Sequence, residues 1–514
     1  MNGVQAAVPR ARVRTAAAIR APRLWWVASA AVLLLAITVQ PFRDSDVWWH
    51  LAVGRLITTH GIPAQEPFSF LQAAHAWVGQ QWLYEVLLYR LVNLGGDGLA
   101  SLALGILAAL AVAVAALSVP HARRIPGAWL AAAMVFSGLV MAEVVGVRGQ
   151  VISVLGTALV LLVVARWRDG HTRAVWALPP LFLLWANLHA GFIAGFGVLA
   201  IALLLARPAD RVSEARRTLL LAALLGGVAT MVNPAGPSLY GYVAGTFFNP
   251  TLTSAITEWA SPDFHNMWLR LFEAEAVVLV FLWVLSRGPD AYDVVLGGAA
   301  VVATLQAQRN VSLFAIIAVP QIARYGAEAW SLQVAPRLRS RHRDPANAAL
   351  LGSIATMVIT VAVAVTVAPQ LSAGSTASFD AARYPVAPAD YIATHLARRR
   401  LYSIDTWGGY LAYRFPQHRV VFLYGETAVL GNADLQLYED VHLLRSNWTH
   451  VLTSEAIHDA VVPLHSQEAS GFHALRWRVD CYDSTSDAVV MSAPTDSTAS
   501  EPALLSAPIS SPRC

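Results

Sequence analysis

The sequence has 514 residues, of which 56% are hydrophobic and 13% are charged, and its mean hydropathy is +0.51. An average soluble domain is about 25% charged, so this composition excludes a cytosolic enzyme, a disordered chain and a nucleic-acid-binding protein. All 36 cationic side chains are Arg, which excludes chemistry that needs a lysine. Two cysteines are too few for a thiol metal cluster or a disulfide framework. The apolar residues lie in blocks, which indicates a polytopic membrane protein.

These apolar blocks predict a mainly α-helical chain with about 11 transmembrane helices between residues 24 and 369. A spanning helix needs about 20 mostly apolar residues, and several of the blocks are shorter. The two blocks that flank Asn187–His189 could form one broken helix. The blocks lie near residues 24–40, 98–119, 127–147, 149–165, 174–187, 190–206, 218–233, 273–286, 292–307, 310–323 and 348–368.

The arginines predict the orientation of these helices. Cytoplasmic loops are enriched in Arg, and the leader 1–23 carries five of them. With this leader inside, more than half of the 36 Arg fall on cytoplasmic loops. An odd number of spans then places the chain after about residue 370 outside the cytoplasm. No small-residue cleavage site follows the first apolar block, so we interpret it as a retained anchor.

The outer first loop, 41–97, contains two amphipathic segments, Trp48–Thr59 and Gln80–Asn93. Aromatic and Leu residues recur in them at helical spacing, which is typical of helices that lie in the membrane interface. On the second segment, Glu85 is predicted to lie on a solvated face.

The C-terminal segment 378–495 is less hydrophobic and predicts a small extracytoplasmic α/β domain. The tail 496–514, rich in Ser, Ala and Pro, is predicted to be disordered. Strands are predicted at Leu401–Ile404, Arg419–Leu423, Trp448–Thr453 and Ala488–Ser492, and helices at Pro388–Arg398 and Leu435–Leu444.

Polar residues that are unusual near a membrane gather at five connections on the predicted outer side. One such residue is usually a snorkelling or capping group, but five clusters on one face indicate an outward-facing site. The clusters are Asp44 and Asp46; Glu143, Arg148 and Gln150; Asn187 and His189; Glu258, Asp263 and His265, which follow Asn233; and Gln306, Gln308, Arg309 and Asn310.

These residue types suit group transfer at the outer leaflet. Asp44 and Asp46, two positions apart, could share one divalent cation such as Mg²⁺ or Mn²⁺, or divide into a base and a metal ligand. The guanidinium of Arg148 or Arg309 could hold a phosphate. His189 could donate to the departing phosphate or to a sugar hydroxyl.

Each of these residues also has a plain structural interpretation. The two aspartates could cap a helix that begins near Val47. Trp48-Trp49-His50 could belong to an interfacial aromatic belt. His189 could be a hydrogen-bonded core histidine.

Asp44-Ser-Asp46, after the first span and in a long outer loop, resembles the GT-C superfamily of membrane glycosyltransferases. More closely, the chain resembles a family of uncharacterised bacterial multi-pass proteins over nearly its whole length. This resemblance is carried by DSDVWWHLAVGRLITTHGIPAQEPFSF, WVGQQWLYEVLLY, WANLHAGFIAG, VNPAGPSLYGY, EWASPDF, QRNVSLFAI, GGYLAYRFP and VVFLYGE.

The resemblance implies a glycosyltransferase of the bacterial cytoplasmic membrane. The donor would be a polyprenyl-phosphate-linked sugar that enters from the bilayer, and the acceptor a protein, a lipid or a polysaccharide. Asp44 or Asp46 would be the base or bind a divalent metal, with Asp44 favoured as base. Candidate binding residues are Arg148 and Arg309 for the lipid phosphate, His189 and Glu258 for the acceptor, and His50, Glu143, Asn187 and Asp263 beside them.

The sequence departs from that family at two places. An acidic-Gly-Arg element follows the outer-domain strand in the family, where this chain has Tyr424-Gly425-Glu426. Ala190 stands where a Gly is usual. Two other function classes stay open: a transporter or flippase of a lipid-linked saccharide, with polar groups along a full-depth path, and a non-catalytic membrane assembly protein.

Overall fold

The computed structural model describes residues 10–42, 44–71, 75–119, 125–142, 146–208, 212–334, 345–371, 380–396, 399–416, 418–426, 431–494 and 513–514. Its contacts divide the chain into two compact units. The helical unit comprises Met1–Gln40, Ser101–Val232 and Glu258–Gln370, and the mixed unit comprises Pro41–Ala100, Asn233–Thr257 and Leu371–Cys514.

The helical unit is a bundle of long apolar helices. Within it, α13 packs against α4, α5, α11 and α12, whereas α1 packs against α4 and α14, and α6 packs against α8. Its helices are α1 (Arg10–Thr38), the end of α3 (Trp82–Leu117), α4 (Gly127–Met141), α5 (Gln150–Arg168), α6 (Leu178–Leu188), α7 (Ile193–Leu205), α8 (Val212–Thr230), α11 (Met267–Leu285), α12 (Ala291–Gln306), α13 (Val311–Ala329) and α14 (Pro345–Val367).

Helix α6 ends at His189, the position at which the sequence predicted a break. His189 has an extended backbone (φ −166°, ψ 140°), and its ring accepts a hydrogen bond from the backbone N–H of Gly191. This bond caps the short 3₁₀ turn Ala190–Phe192 that leads into α7. The two blocks are therefore two helices with a polar junction.

Several helices of this unit expose large apolar side chains. Val228, Val284 and Leu351 are 61%, 75% and 65% exposed, which fits a lipid-facing surface better than an aqueous one. Among the described residues, Trp82–Leu117, Gln150–Arg168 and Leu350–Val367 are long and apolar enough to cross a membrane. The chain is accordingly an integral membrane protein, and the number eleven stays a prediction.

The mixed unit combines helices with one four-stranded sheet of order β1-β2-β4-β3. Strand β1 is parallel to β2, and β4 is antiparallel to both β2 and β3. The strands are β1 (Leu401–Ser403), β2 (Asp459–Pro463), β3 (Arg478–Asp483) and β4 (Ala488–Ser492). The helices of this unit are α2 (Asp46–His60), the start of α3, α9 (Ser238–Phe247), α10 (Pro250–Ala255), α15 (Val386–His395), α16 (Asp405–Arg414), α17 (Asn432–His442), α18 (Trp448–Ser454) and α19 (Gln467–Ala474).

Three sequence expectations fail in this unit. Arg419–Leu423, predicted as a strand, forms only isolated bridges, from Val421 to Ser69 and to Leu401. Trp448–Thr453, whose aromatic and β-branched residues predicted a strand, belongs to helix α18. This helix buries Val451 and Leu452 in the core beside the sheet. Glu85, predicted on a solvated face, is only 1% exposed. It is buried because Gly54 lets α2 approach the backbone of Glu85 closely: a Cβ at Gly54 would lie 2.2 Å from the Glu85 carbonyl oxygen.

The predicted disordered tail lies largely outside the described residues. Its last two residues are described: Arg513 bridges to Tyr482 of β3, and Cys514 forms a disulfide with Cys481.

Candidate functional site

The first-loop aspartates stand at the N-terminus of α2. The Asp46 backbone N–H donates to Asp44 Oδ1 over 3.1 Å, so Asp44 does cap the first turn. Asp46 is the first residue of the helix, where a carboxylate is stabilised by the helix dipole. The capping interpretation is therefore correct for Asp44, and it leaves open whether either carboxylate also does chemistry.

Gly425 lies directly against Asp46. A Cβ built on Gly425 would lie 1.9 Å from Asp46 Oδ1 and 3.0 Å from the indole nitrogen of Trp49. Only glycine leaves room for the carboxylate at this place. The element in which the sequence departs from the family pattern thus contacts the first-loop aspartate.

The next residue, Glu426, has a buried carboxyl group that sequence reasoning missed. The Tyr242 hydroxyl donates to Glu426 Oε1 over 3.1 Å, and Gln80 Nε2 lies 3.4 Å from the same oxygen. Burial raises the pKa of Glu426 to about 7, against the lowering effect of the two hydrogen bonds. Gln80 and Tyr242 lie in two of the family-like segments, but nothing in those segments indicates that they meet Glu426.

A second buried acid lies beside His50. His50 Nδ1 is 3.5 Å from Glu85 Oε1, and the two side chains are 7% and 1% exposed. The indole of Trp49 lies against the imidazole, with ring centroids 3.7 Å apart. His50 is thus a core residue of the mixed unit rather than a member of an exposed aromatic belt.

In the helical unit, three of the predicted site residues come together. Arg148, just before α5, forms an ion pair with Glu258. The guanidinium of Arg309 stacks over the ring of Trp259, 4.3 Å from its centroid. The Gln308 backbone N–H donates to the Ala260 carbonyl oxygen over 2.9 Å, which fastens the two segments to each other. We call Arg148, Glu258, Trp259 and Arg309 the arginine cluster.

His189 is joined to the same end of α5. Ser153 Oγ donates to His189 Nδ1 over 2.7 Å, and Trp185 Nε1 donates to Ser153 Oγ over 2.9 Å. Because the Gly191 N–H also donates to Nδ1, the proton of the neutral ring is assigned to Nε2. His189 can therefore present an Nε2–H donor, although its Nδ1 is a structural acceptor.

The remaining predicted residues have more local partners. Asn187 Nδ2 donates to the carbonyl oxygens of Leu183 and Val232, each over 2.8 Å. Asp263 is exposed and bonds to His265, and the hydrogen bonds from the His265 backbone and side chain lower the pKa of Asp263. Glu143 lies outside the described residues.

The residues described do not supply a ligand set for a resident metal. Among them, no group of three or more His, Cys, Asp or Glu side chains could hold an ion. Asp44 and Asp46 offer two carboxylates, and Mg²⁺ held by so few protein ligands takes the rest of its six oxygens from water and from substrate phosphates, so the pair by itself does not make a resident metal site. We therefore derive no step through a metal.

No family model and no curated protein sequence matches the chain. Several solved structures match it. The arabinofuranosyltransferase AftD from Mycobacteria is 14% identical with a TM-score of 0.50, over 92% of this chain and 40% of that one. ArnT from Cupriavidus metallidurans, bound to undecaprenyl phosphate, is 17% identical with a TM-score of 0.48, over 92% of this chain and 98% of that one. The archaeal oligosaccharyltransferase AglB from Archaeoglobus fulgidus, with an inhibitory peptide and a dolichol-phosphate, is 13% identical with a TM-score of 0.47, over 88% and 70%. The likeness to AftD shows that this chain and that arabinofuranosyltransferase share a fold over the matched part.

Proposed function

We propose that this protein is a membrane glycosyltransferase that uses a polyprenyl-phosphate-linked sugar as donor at the outer face of a bacterial cytoplasmic membrane. The observation that carries the proposal is the carboxylate pair at the start of α2, with Gly425 fitted against Asp46. The GT-C fold supports the reaction class. ArnT and AglB, whose structures contain undecaprenyl phosphate and dolichol-phosphate, suggest the donor class. We also propose that the chain belongs to the family of bacterial multi-pass proteins that its sequence resembles.

In the proposed reaction an acceptor hydroxyl oxygen attacks the anomeric carbon of the donor sugar. The bond from that carbon to the phosphate oxygen breaks, and the polyprenyl phosphate leaves with the electron pair. Asp44 takes the proton of the acceptor hydroxyl, and Asp46 holds the start of α2 in place against Gly425. The chemistry thus needs one base and one phosphate-binding group, and the acceptor class stays open among protein, lipid and polysaccharide.

We assign the donor phosphate to Arg148 and Arg309. Glu258 and Trp259 hold the two guanidinium groups in fixed orientations, and an Arg fork binds phosphate oxygens in a bidentate manner. In this assignment His189 Nε2–H donates to the sugar or to the departing phosphate, and Glu258 keeps Arg148 oriented.

The test of the base uses Asp44→Asn and Asp46→Asn in a deletion strain, with surface glycans and lipid-linked sugars measured by mass spectrometry. General bases contribute about 10²- to 10⁴-fold to rate, so we expect Asp44→Asn to lower transfer at least about 10²-fold. Asp487→Asn, on a half-buried residue of the same unit, is the matched control. If both first-loop variants fold and keep full activity, the enzymatic proposal fails and the assembly-protein alternative gains.

The phosphate assignment has its own test. Arg148→Gln and Arg309→Gln should each raise the donor KM about 10-fold or more, because a hydrogen bond to a charged group contributes about 1.5–3 kcal/mol. Arg287→Gln, on an exposed residue of the same unit, should leave the KM unchanged. An equal loss of kcat with an unchanged KM would contradict the assignment. Repeating the assay with a chelator, and then with Mg²⁺ or Mn²⁺, tests the metal requirement separately.

A transporter of a lipid-linked saccharide is the second candidate, and one observation favours it. The sequence places its unusual polar residues at connections on one predicted face, and the structure adds buried polar groups elsewhere in the helical unit. Glu275, halfway along α11, is fully buried and accepts a hydrogen bond from Ser137 of α4. Ion pairs also join Arg168 at the end of α5 to Asp290 and Asp293 at the start of α12. Movement of a fluorescent lipid-linked saccharide across vesicles without sugar transfer, lost in Glu275→Gln, would support this candidate.

A further inference from the structure

The connection between α8 and α11 contains an uncharged stretch that is longer than one membrane span. Between Arg217 and Glu258 lie 40 residues without a single Asp, Glu, Lys, Arg or His. A span needs about 20 residues, and α8 already ends at Thr230. Residues 233–257, the last 25 of this stretch, belong to the mixed unit and contain α9 and α10. We call these residues the α9–α10 segment.

The α9–α10 segment lacks the charges that a water-facing surface normally carries. A soluble segment of the same length would include about six charged residues. The other described helices of the mixed unit, including the start of α3, each contain at least one charged residue or histidine. A helix that is largely apolar all round is normally buried.

Helix α9 buries only one of its sides within the protein. Leu239 and Val243 form the buried side. The residues exposed on the rest of the helix are Ser238, Gly241, Ala244, Gly245 and Phe247. This second side carries almost no polar group, so it requires an apolar environment that the mixed unit does not itself provide.

The turn after α9 presents an aromatic ring at the surface. Phe248 is 85% exposed, more than any other large apolar side chain among the described residues, and Phe247 is 49% exposed. The Phe248 backbone N–H donates to the Ala244 carbonyl oxygen over 2.9 Å. Asn249 Nδ2 donates to Asn432 Oδ1 over 2.8 Å. These hydrogen bonds hold the turn in place while the Phe248 ring stays outside the core.

The connectivity of the chain identifies the lipid bilayer as the apolar environment for this surface. Large apolar side chains are exposed along α8 and as far as Val232, which is 64% exposed. Helix α9 begins eight residues after α8 ends, and a chain that leaves a spanning helix emerges at the level of the lipid head groups. The lipid-facing surface of α8 is therefore followed along the chain by further exposed apolar residues, with no charge between them. A protein partner would need a polar rim around its contact, and the α9–α10 segment has no charged residue to form one.

We propose that the α9–α10 segment is a lipid-docking surface of the mixed unit. It lies along the predicted outer surface of the bilayer, and Phe248 inserts at the boundary between head groups and acyl chains, as aromatic residues of interfacial helices do. The partner is the lipid surface itself rather than an anionic lipid, because the segment has no cation to bind a charged head group.

This docking surface shares a helix with the candidate site. Tyr242 of α9 donates its hydroxyl proton to Glu426, so α9, about 10 Å across, separates that buried carboxyl group from the lipid. The inference does not rest on the transferase proposal, because a transporter or an assembly protein with this structure would dock in the same way.

The experiment measures the depth of a fluorescent probe on the full chain in nanodiscs of phosphatidylcholine that hold one copy each. Both native cysteines are in a disulfide, so Phe248→Cys offers one thiol for an environment-sensitive maleimide. Quenching by phosphatidylcholine with a doxyl group on its acyl chain reports contact with lipid, and quenching by iodide reports contact with water. Ser484→Cys, in the exposed turn between β3 and β4, is the matched control.

We expect doxyl lipid to quench the probe in Phe248→Cys at least about 5-fold more than the probe in Ser484→Cys, and iodide to show the opposite preference, because an interfacial aromatic position lies below the head groups. Ala244→Cys, on the exposed side of α9, is a second reporter and should follow Phe248→Cys. Replacing half of the phosphatidylcholine by phosphatidylglycerol should leave the quenching unchanged.

Three results would overturn the proposal. Iodide quenching of Phe248→Cys and Ala244→Cys as strong as that of Ser484→Cys would show that the segment lies in water. Protection from iodide only in nanodiscs that hold two copies would show that a second copy covers the segment. Doxyl quenching that appears only with phosphatidylglycerol would show that charge, rather than the apolar surface, brings the segment to the bilayer.

Discussion

At the scale of single residues, the contact of Gly425 with Asp46 gives the sharpest steric prediction. In Gly425→Ala the new methyl would overlap Asp46 Oδ1, which lies 1.9 Å from the ideal Cβ position. Overpacking of this kind costs about 1–3 kcal/mol, and the displaced carboxylate should lower transfer as well. Gly431→Ala is the control, because its nearest neighbour lies at an ordinary 3.6 Å. Equal Tm and activity in the two variants would contradict the close contact.

Glu426 predicts a pH dependence of stability. Burial raises the folded-state pKa to about 7 from an ordinary 4.5. The folded state therefore binds more protons than the unfolded state between these values, and stability falls as the pH rises through this window. The shift corresponds to about 3 kcal/mol. Glu426→Gln keeps partners for Tyr242 and Gln80, so its unfolding free energy should be flatter between pH 5 and 8.

Glu439→Gln is the matched control for this profile. Glu439 lies in the same unit on α17, partly exposed and paired with Arg445. Its variant should keep the wild-type slope of unfolding free energy against pH. If Glu426→Gln also keeps that slope, the carboxyl of Glu426 is not the group responsible.

At the scale of elements, Gly96 bends helix α3. Gly95 and Gly96 interrupt the helical backbone, and Gly96 has φ +69° and ψ −173°, a conformation found essentially only in glycine. Gly96→Ala should therefore destabilise the protein by about 1–3 kcal/mol. Gly245→Ala, inside α9 with open space around its Cβ, should stabilise by about 0.5–1 kcal/mol. The free energy of unfolding of each variant, compared with that of the wild type, tests the expected loss and the expected gain of stability.

The sequence predicts elements with a periodic apolar face and fails where long-range packing decides. Helix α2, predicted over Trp48–Thr59, spans Asp46–His60, and β4 occupies Ala488–Ser492 as predicted. Strand β2 escaped prediction because Asp459–Pro463 is buried by partners on both sides and shows no alternation.

The residues of the candidate site also divide into those that the sequence predicts and those that depend on long-range packing. Arg148, Glu258 and Arg309 could be grouped from the sequence because each stands at a connection on one predicted membrane face. Glu426 could not be predicted as a site residue, since its burial depends on Gln80 and Tyr242, which lie 346 and 184 residues away in the chain. Residue type alone does not reveal such a contact.

At the scale of the whole molecule, the disulfide bears on the predicted orientation. Cys481 and Cys514 are the only cysteines and pair across 33 positions. Disulfides persist outside the cytoplasm and are rare within it, so the pair supports an extracytoplasmic C-terminal segment, as the arginines predict. In the chain-entropy account a loop of this length contributes about 3–4 kcal/mol.

We therefore expect both thiols to be oxidised in intact cells. A membrane-impermeant reductant followed by an impermeant maleimide should label the wild type, whereas maleimide alone should not. Cys514→Ser leaves Cys481 as a free thiol and should be less stable by about 3 kcal/mol. The double variant Cys481→Ser with Cys514→Ser controls for nonspecific labelling. Labelling that requires permeabilised cells would place this segment in the cytoplasm, and it would then reverse the predicted side of Asp44 and Arg148 together.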